Sequence, residues 1–541
     1  MLGSRLPSTG PLQIGAKLYR RPTTTRPCNR VYSSPSSKSK IEAWPMQEND
    51  PPNIAWSMLD FYQQVYRPPS PLPKEGSRPT IKQLPRGSAC AVVLGGAMAD
   101  SRRLYPLTQN RTLPAVPFAS NYRLIDIVLS NLVNSNVRQI FVLTQYNSKS
   151  LNSYLQKAYD LGVGVHLGGE GYVEVVAAAQ GPEEKRFAEG SVDVVRQWMN
   201  QFNSNSKNKW VEDIIVLPSD QVYQADFTQM LDFHRNSGAD ITIVCKSVEE
   251  RNAQLQGIVK MGGGARIQSF VEKPDAEQLS RMTMSMAEIE DFYRESNIDE
   301  VPFEVDADPN ARALLGSCGM YIFRKDALQE LIEDAGIKDI GKHLIPTAVN
   351  KGLQLFAFNH PGFWTDIGGS VQSFYDFHMG LARDEVPFRL QQPLDTPFFH
   401  SPTCLSPTGT SSARMCNVVV GSGCELGSCT LRDSVLGQRT IIADGCYIEG
   451  AVIMGSSFYE RERPMARVCP ISPSYPPMGI GSDTIIRRAI LDKNVRVGKN
   501  VQLVNKDGLQ NSVGELPFGI CVKDGIMVVP KNAAIPDGTV L

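Results

Sequence analysis

Hydrophobic and polar positions along the chain fall into two regimes with different periods. Between residues 88 and 400, short apolar runs alternate with helical patterns. Ala89–Leu94 (ACAVVL) reads as a buried strand that stops at Gly95–Gly96. From Tyr122, YRLIDIVLSNLVNSN has helical spacing, and QIFVLTQ (139–145) is again a strand. DIIVLPSD (213–220) and ITIVCKSV (241–248) add two more strands, and GMYIFRKDALQELIEDAG (319–336) reads as strand then helix. Strands alternating with helices predict an α/β domain with a largely parallel sheet. Ligands in such sheets sit beyond the carboxyl ends of the strands, and Gly95, Gly96, Gln145 and Asp220 all fall there.

After residue 412 the period becomes six. Val435, Ile441, Tyr447 and Ile453 repeat at that spacing, and Leu436, Ile442, Ile448 and Met454 do so one place on. Ile485, Leu491, Val497 and Leu503 follow suit. Branched apolar residues at this period predict a coil of hexapeptide repeats, in which stacked turns bury a continuous core. The Pro-rich segment FYERERPMARVCPISPSYPPMG interrupts it. Many such coils are acyltransferases that need a histidine in the coil. All six histidines here lie at or before His400, which favours a structural, oligomerising or regulatory coil.

Composition narrows the picture. The chain has 541 residues and a net charge of -1, so nothing in its charge suggests nucleic-acid binding. No apolar run approaches the roughly 18 residues that span a bilayer. Eleven scattered cysteines without a CxxC pair read as ordinary thiols in a reducing compartment. Residues 1–45 open with forty positions free of Asp and Glu but rich in Arg, Lys, Ser and Thr, the composition of an organelle transit peptide. Composition alone does not decide between chloroplast and mitochondrion. Residues 46–87 are a Pro-rich linker, 88–395 the α/β domain, 396–415 a second linker and 416–541 the coil. The acidic stretch 282–311 reads as a solvated excursion.

The candidate chemistry follows from placement. Glycines after a strand let backbone N–H groups approach phosphate oxygens. Arg103 beyond them can neutralise a polyphosphate, with Arg102 as an alternative. Asp220 and Asp366 (in GFWTDIGG) suit Mg²⁺, and Lys273 (in FVEKP) suits a second anionic substrate.

PAVPFASNYRLIDIVLSNLVNSNVRQIFVLTQYNSKSLNSYL, YVEVVAAAQ, GSVDVVRQ, HRNSGADITI, FVEKP, WTDIG and ILDKNVRVGKNVQLVNKDG together resemble ADP-glucose pyrophosphorylase, glucose-1-phosphate adenylyltransferase. The similarity runs from about Ala89 to the C-terminus. It implies a Rossmann-like α/β nucleotidyltransferase domain followed by a left-handed parallel β-helix. With the leader, it implies an enzyme of starch synthesis in the chloroplast stroma. The implied reaction is ATP plus glucose 1-phosphate giving ADP-glucose and pyrophosphate. Carried over by motif, Arg103 and Asp220 are catalytic, and Asp220 and Asp366 hold Mg²⁺. Gly95, Gly96, Gln145 and Gln180 line ATP, while Gly257, Glu272, Lys273, Ser317 and Asp366 bind glucose 1-phosphate. Arg111, Arg123, Lys493 and Lys531 match the family's effector site for 3-phosphoglycerate and orthophosphate.

Departures cluster on the phosphate path. The family loop GGGxGTRLxPLT is here the longer, Gly-poor GGAMADSRRLYPLT, with Asp100 in it. The family's RAKPAVP is here RTLPAVP, so Leu113 stands where a lysine is expected. Losing one such charge-assisted contact costs roughly 3 kcal/mol, on the order of a hundredfold in rate. The strand that usually ends SGD ends PSD. This pattern resembles the regulatory large subunit, weak or inactive alone, paired with a catalytic small subunit in a heterotetramer. The alternatives are a fully competent adenylyltransferase and a non-enzymatic sugar-phosphate or effector sensor.

Overall fold

The computed structural model describes residues 89–96, 102–145, 147–159, 171–177, 190–295, 312–390, 396–402, 405–460, 475–512 and 514–541. The expected transit peptide and first linker lie outside these residues, as do Asp100 and Gln180. Lys82–Leu541 form one compact unit.

The α/β part is built in chain order from β1 (Ala89–Leu94), α1 (Leu124–Asn134), β2 (Gln139–Thr144), α2 (Lys149–Ala158), β3 (Tyr172–Ala177) and α3 (Ser191–Ser204). It continues with β4 (Asp213–Pro218), β5 (Gln221–Tyr223), α4 (Phe227–Asn236), β6 (Ile241–Val248), β7 (Gly257–Met261) and β8 (Ile267–Glu272). Then come β9 (Arg312–Arg324), α5 (Lys325–Ile332), β10 (Leu355–Asn359), β11 (Trp364–Asp366) and α6 (Val371–Arg383). The described residues place ten strands in one sheet, whose main path runs β8–β7–β9–β4–β1–β2–β3. The strands from one edge inward, β3, β2, β1 and β4, are parallel neighbours. The long β9 runs antiparallel to both β4 and β6. Apolar residues on the two faces form two cores, one around Val92, Trp198 and Phe323 and one around Val93, Leu129 and Tyr223. The part of the acidic stretch within the described residues, 282–295, is less solvated than its charge suggests. Its described half forms the helix Met286–Glu295, and Ile289, Phe292 and Tyr293 are buried in the first core.

The C-terminal part is a parallel coil. Thr430–Leu436 pairs with Tyr447–Ile453, which pairs with Ile485–Leu491. The inward positions Leu436, Ile442, Ile448 and Ile453 are spaced six, six and five, because Leu431 pairs with Ile448 and that turn takes 17 residues, one short of three hexads. The six-residue phase therefore slips at the end of the run, where Ile453 faces inward and Met454 does not. Val452, Met454, Ile490, Ile526 and Val528 point out of the coil and pack with Phe374, Tyr375 and Phe377 of α6. The Tyr375 hydroxyl donates to the Gly450 carbonyl at 2.8 Å across the same seam. The two parts thus share a hydrophobic core.

Candidate active site

The glycine turn after β1 is set by packing as well as by any ligand. Gly95 N–H donates to the Leu143 carbonyl at 2.7 Å, and a Cβ at Gly95 would sit 2.5 Å from that oxygen. Gly96 has φ +93°, a conformation that glycine adopts at little cost. Neighbouring β4 ends level with it, where the Ser219 hydroxyl donates to the Leu94 carbonyl at 2.5 Å. Pro218 lies in strand register opposite Leu94, so the PSD sequence continues the sheet up to the carboxylate.

Arg103 and Asp220 meet here, with Arg103 Nη1 3.2 Å from Asp220 Oδ2. Asp366 arrives on β11, whose register sets it opposite Gln221, the neighbour of Asp220. Gly368 N–H lies 3.1 Å from the Asp220 carbonyl and 3.1 Å from Asp366 Oδ1. A Cβ on Gly368 would come within 2.5 Å of the Asp220 Cβ, and one on Gly369 within 3.4 Å of Asp366 Oδ2. The two carboxylates therefore flank one Gly–Gly turn. Mg²⁺ binds through one or two carboxylates and fills its other positions with water and substrate phosphate, which this pair fits. Gln145 follows β2, and its buried Oε1 has no hydrogen-bond partner among the described residues.

Among the residues expected to bind the sugar phosphate, Gly257 pairs with Glu272 across β7 and β8. Added Cβ atoms at Gly257 and Gly341 would lie 2.7 and 2.6 Å from Glu272 Oε2. Two glycines thus make room for that carboxylate. Burial pushes the Glu272 carboxyl above its usual range, while the charges of Lys273, Lys342 and Arg103 oppose the shift. Lys273 is held at φ 51°, with its N–H on the Gln256 carbonyl at 3.0 Å. Ser317 sits at an irregularity in β9, its Oγ accepting from Gly319 N–H at 3.1 Å. Gly341 and Lys342 are additions that sequence reasoning missed. They lie in a π-helical turn, Ile340–Leu344, which no apolar periodicity signals.

The expected effector cations gather at the junction with the coil. Arg111 is buried and pairs with Asp492 at 2.7 Å. Burial, followed by the nearby charges of Arg123, Arg111 and Arg439, lowers the Lys493 ammonium to about 7, with Asp492 opposing. Burial and the Arg111 charge lower Lys531 as well. Arg123 lies over the Tyr154 ring at 3.9 Å, and Tyr154 donates to Asp126 Oδ2 at 2.6 Å. Burial raises Asp126 to about 6 against the hydrogen bonds of Tyr154, Arg123 N–H and Tyr159. The hairpin that carries Arg123 is pinned twice. Ala119 N–H donates to His378 Nε2 at 3.0 Å, and Asn121 Oδ1 accepts from Ser422 N–H at 3.1 Å. Arg439, Asp492, Asp126 and Tyr154 were not singled out from sequence. A lone charge in a repeat carries no signal until the fold gathers it.

Leu113 answers a question about the phosphate path. It is 2% exposed and packs with Leu104, Leu107 and Phe118. In this chain position 113 is a core position, so its apolar side chain is not evidence of a lost phosphate contact.

The nucleotidyl transferase family matches residues 90–384, and the GLGC left-handed parallel beta-helix domain matches residues 403–540. The glucose-1-phosphate adenylyltransferase small subunit, chloroplastic/amyloplastic, of Triticum aestivum is 34% identical over 456 residues, 84% of this chain and 91% of that protein. That match corrects the expectation of a weak, regulatory large subunit, because the relative is a small subunit. The expectation rested on Leu113 and the altered glycine loop, and Leu113 is explained by core packing. A nucleotidyltransferase domain joined to a left-handed β-helix, matched over most of its length, places the chain in the glucose-1-phosphate adenylyltransferase family.

Proposed function

We propose that this chain is a catalytically competent adenylyltransferase of the small-subunit kind, making ADP-glucose and pyrophosphate from ATP and glucose 1-phosphate in the plastid. The observation that carries the reading is the Arg103–Asp220 contact of 3.2 Å, set beside Asp366 at the carboxyl ends of β1 and β4. An oxygen of the sugar phosphate attacks the α-phosphorus, and the bond from that phosphorus to the bridging oxygen of the β-phosphate breaks. Pyrophosphate leaves with the electron pair. The attacking oxygen is already anionic near neutral pH, since a phosphate monoester has its second pKa near about 6. No general base is needed, so positioning and charge neutralisation dominate. Lys273 anchors the sugar phosphate, and Glu272 accepts hydrogen bonds from sugar hydroxyls. Arg103 meets charge developing on the phosphates. Asp220 and Asp366 would hold Mg²⁺, which supplies neutralisation of phosphate oxygens. Gly95 and Gly96 bring backbone close to the nucleotide, with Gln145 at its base. The cluster of Arg111, Arg123, Lys493 and Lys531 suits small anionic effectors such as 3-phosphoglycerate and orthophosphate. Its partner in a heterotetramer is then the complementary subunit rather than a second catalytic one.

Purified chain supplied with ATP, glucose 1-phosphate and Mg²⁺ is expected to turn over at an ordinary enzyme rate, about 1–1000 s⁻¹. Asp220→Asn is expected to lose about a hundredfold or more in kcat. A folded wild-type chain that forms no ADP-glucose, with or without 3-phosphoglycerate, would overturn the reading.

A further inference from the structure

Asp366 reaches the site on a weak element. β5 and β11 are three residues long each and form a two-stranded ribbon apart from the main sheet. A ladder that short does not hold a fixed spacing by itself. The β5 strand has a firm base, because buried Asn131 of α1 donates from Nδ2 to the Tyr223 carbonyl at 3.0 Å and accepts from Ala225 N–H at 2.9 Å. The approach to β11 is tied where Lys246 Nζ donates to the Gly362 carbonyl at 2.8 Å. The strand that carries Asp366 still has to be held against its partner.

Gln221 does this. It follows Asp220 directly and stands opposite Asp366 in the ribbon register, with Trp364 opposite Tyr223. Opposed residues, and residues two apart in a strand, share a face, so Gln221, Trp364 and Asp366 lie on one side of the ribbon. The Trp364 indole Nε1–H donates to Gln221 Oε1 at 3.0 Å, a diagonal bond between the two strands. An indole N–H only donates, so the bond also fixes which way the amide faces. Its nitrogen end lies by Gly319, where an added Cβ would sit 3.4 Å from Gln221 Nε2. Gly319 has φ +72° and belongs to the irregularity of β9 that follows Ser317. Gln221 is 8% exposed, so little water competes for its amide.

We propose that Gln221 is a positioning residue for the two metal-site carboxylates: its amide locks Trp364 and so fixes β11, and with it Asp366, against Asp220. This rests on the reading of Asp220 and Asp366 as the Mg²⁺ pair. Mg²⁺ demands near-ideal octahedral geometry, so slack between two carboxylates that share it weakens its binding. Gln221 acts through the indole and the ribbon, without touching metal or substrate. When the amide oxygen is lost, β11 keeps only its short ladder to β5, and the cost falls on the metal. Glu272 and Lys273 come from the end of β8, outside the ribbon, and their hold on the sugar phosphate is unaffected.

The test titrates Mn²⁺, as a paramagnetic probe for Mg²⁺, into the full chain with ATP and no glucose 1-phosphate, and reads free Mn²⁺ by electron paramagnetic resonance. Gln221→Met removes the amide and keeps the length of the side chain. It should weaken Mn²⁺ binding about fivefold, the order of one hydrogen bond. In ADP-glucose synthesis the Mg²⁺ half-saturation should rise by a similar factor, while the KM for glucose 1-phosphate stays within about twofold. Trp364→Phe cuts the same bond from the other side and should weaken Mn²⁺ binding alike. The double variant should then be no worse than either single one. Unchanged Mn²⁺ binding, an equal rise in the KM for glucose 1-phosphate, or losses that multiply in the double variant would each overturn the proposal. If Gln221→Met does not fold, Trp364→Phe alone decides, since a loss of Mn²⁺ affinity supports the tie and none overturns it. If the wild type makes no ADP-glucose, the adenylyltransferase reading fails by itself, and the Mn²⁺ titration still decides the role of Gln221. A wild type that binds no Mn²⁺ beyond what ATP alone holds overturns it.

Discussion

Leu113 shows how one residue can mislead when read by motif. Set against RAKPAVP, it looks like a deleted charge. In the fold it is 2% exposed, in a 3₁₀ turn (Leu113–Ala115) wedged against Leu104, Leu107 and Phe118. Restoring the family lysine would put an ammonium at a buried position among apolar side chains, which costs several kcal/mol unless the side chain escapes to water. Leu113→Lys is therefore expected to destabilise the protein by about 2–4 kcal/mol and not to raise kcat. Urea unfolding beside steady-state rates checks this, and a faster enzyme with unchanged stability would revive the missing-charge interpretation. Asp220 and Asp366 illustrate the opposite case. Asp220 was legible because strand periodicity fixes which end of the sheet it occupies, and Asp366 was picked out by its GFWTDIGG motif. Their convergence on Gly368–Gly369 was not, since it depends on β11 pairing with β5.

At the scale of elements, α6 has two duties. Its buried face, Phe374, Tyr375, Phe377 and His378, joins the shared core with the coil. His378 sits among Phe118, Phe374 and Phe377, and burial lowers its imidazole to about 4, so it stays neutral at ordinary pH. Its Nδ1 then donates to the Phe374 carbonyl at 2.7 Å while Nε2 accepts from Ala119 N–H. One helix thus holds the hairpin of Arg123 and clamps the coil. Phe374 is fully buried at that seam. Phe374→Ala should cost about 3–5 kcal/mol in thermal or denaturant unfolding. A cost below about 1 kcal/mol would mean that the seam contributes little to stability. The helical spacing of VQSFYDFHMGLAR was readable, but not what its face meets, because an amphipathic pattern does not name its partner.

The molecule as a whole couples its two parts through charge as well as packing. Arg111 and Arg123 come from the α/β part, and Arg439, Asp492, Lys493 and Lys531 from the coil. Lys493 is lowered from 10.5 to about 7 by burial and by Arg123, Arg111 and Arg439, with Asp492 opposing. Between those values the unfolded chain binds the extra proton, so this group's contribution to stability rises with pH through the window. A bound dianion reverses the balance by favouring charged Lys493, so binding takes up a proton. Sulfate, whose charge is fixed over this range, should bind more weakly as pH rises through about 7, and Lys493→Arg should flatten that dependence. Calorimetric titration from pH 6 to 8 reads it out, and a flat wild-type profile would remove Lys493 from the anion site.

The sequence by itself determined the two architectures, because strand–helix alternation and a six-residue apolar period are local properties of the backbone and its side-chain spacing. It also determined the strand-end glycines and Asp220, since a strand's direction places its last residues. The tertiary structure alone decided where the six-residue phase slips, so that Ile453 faces inward while Met454 faces α6, because the turn from Leu431 to Ile448 takes 17 residues. It alone buried Leu113, gathered six charged residues from distant segments, and set Lys523 of the coil beside Arg103. The last two depend on residues hundreds of positions apart, such as Arg111 and Asp492, and no local pattern encodes them.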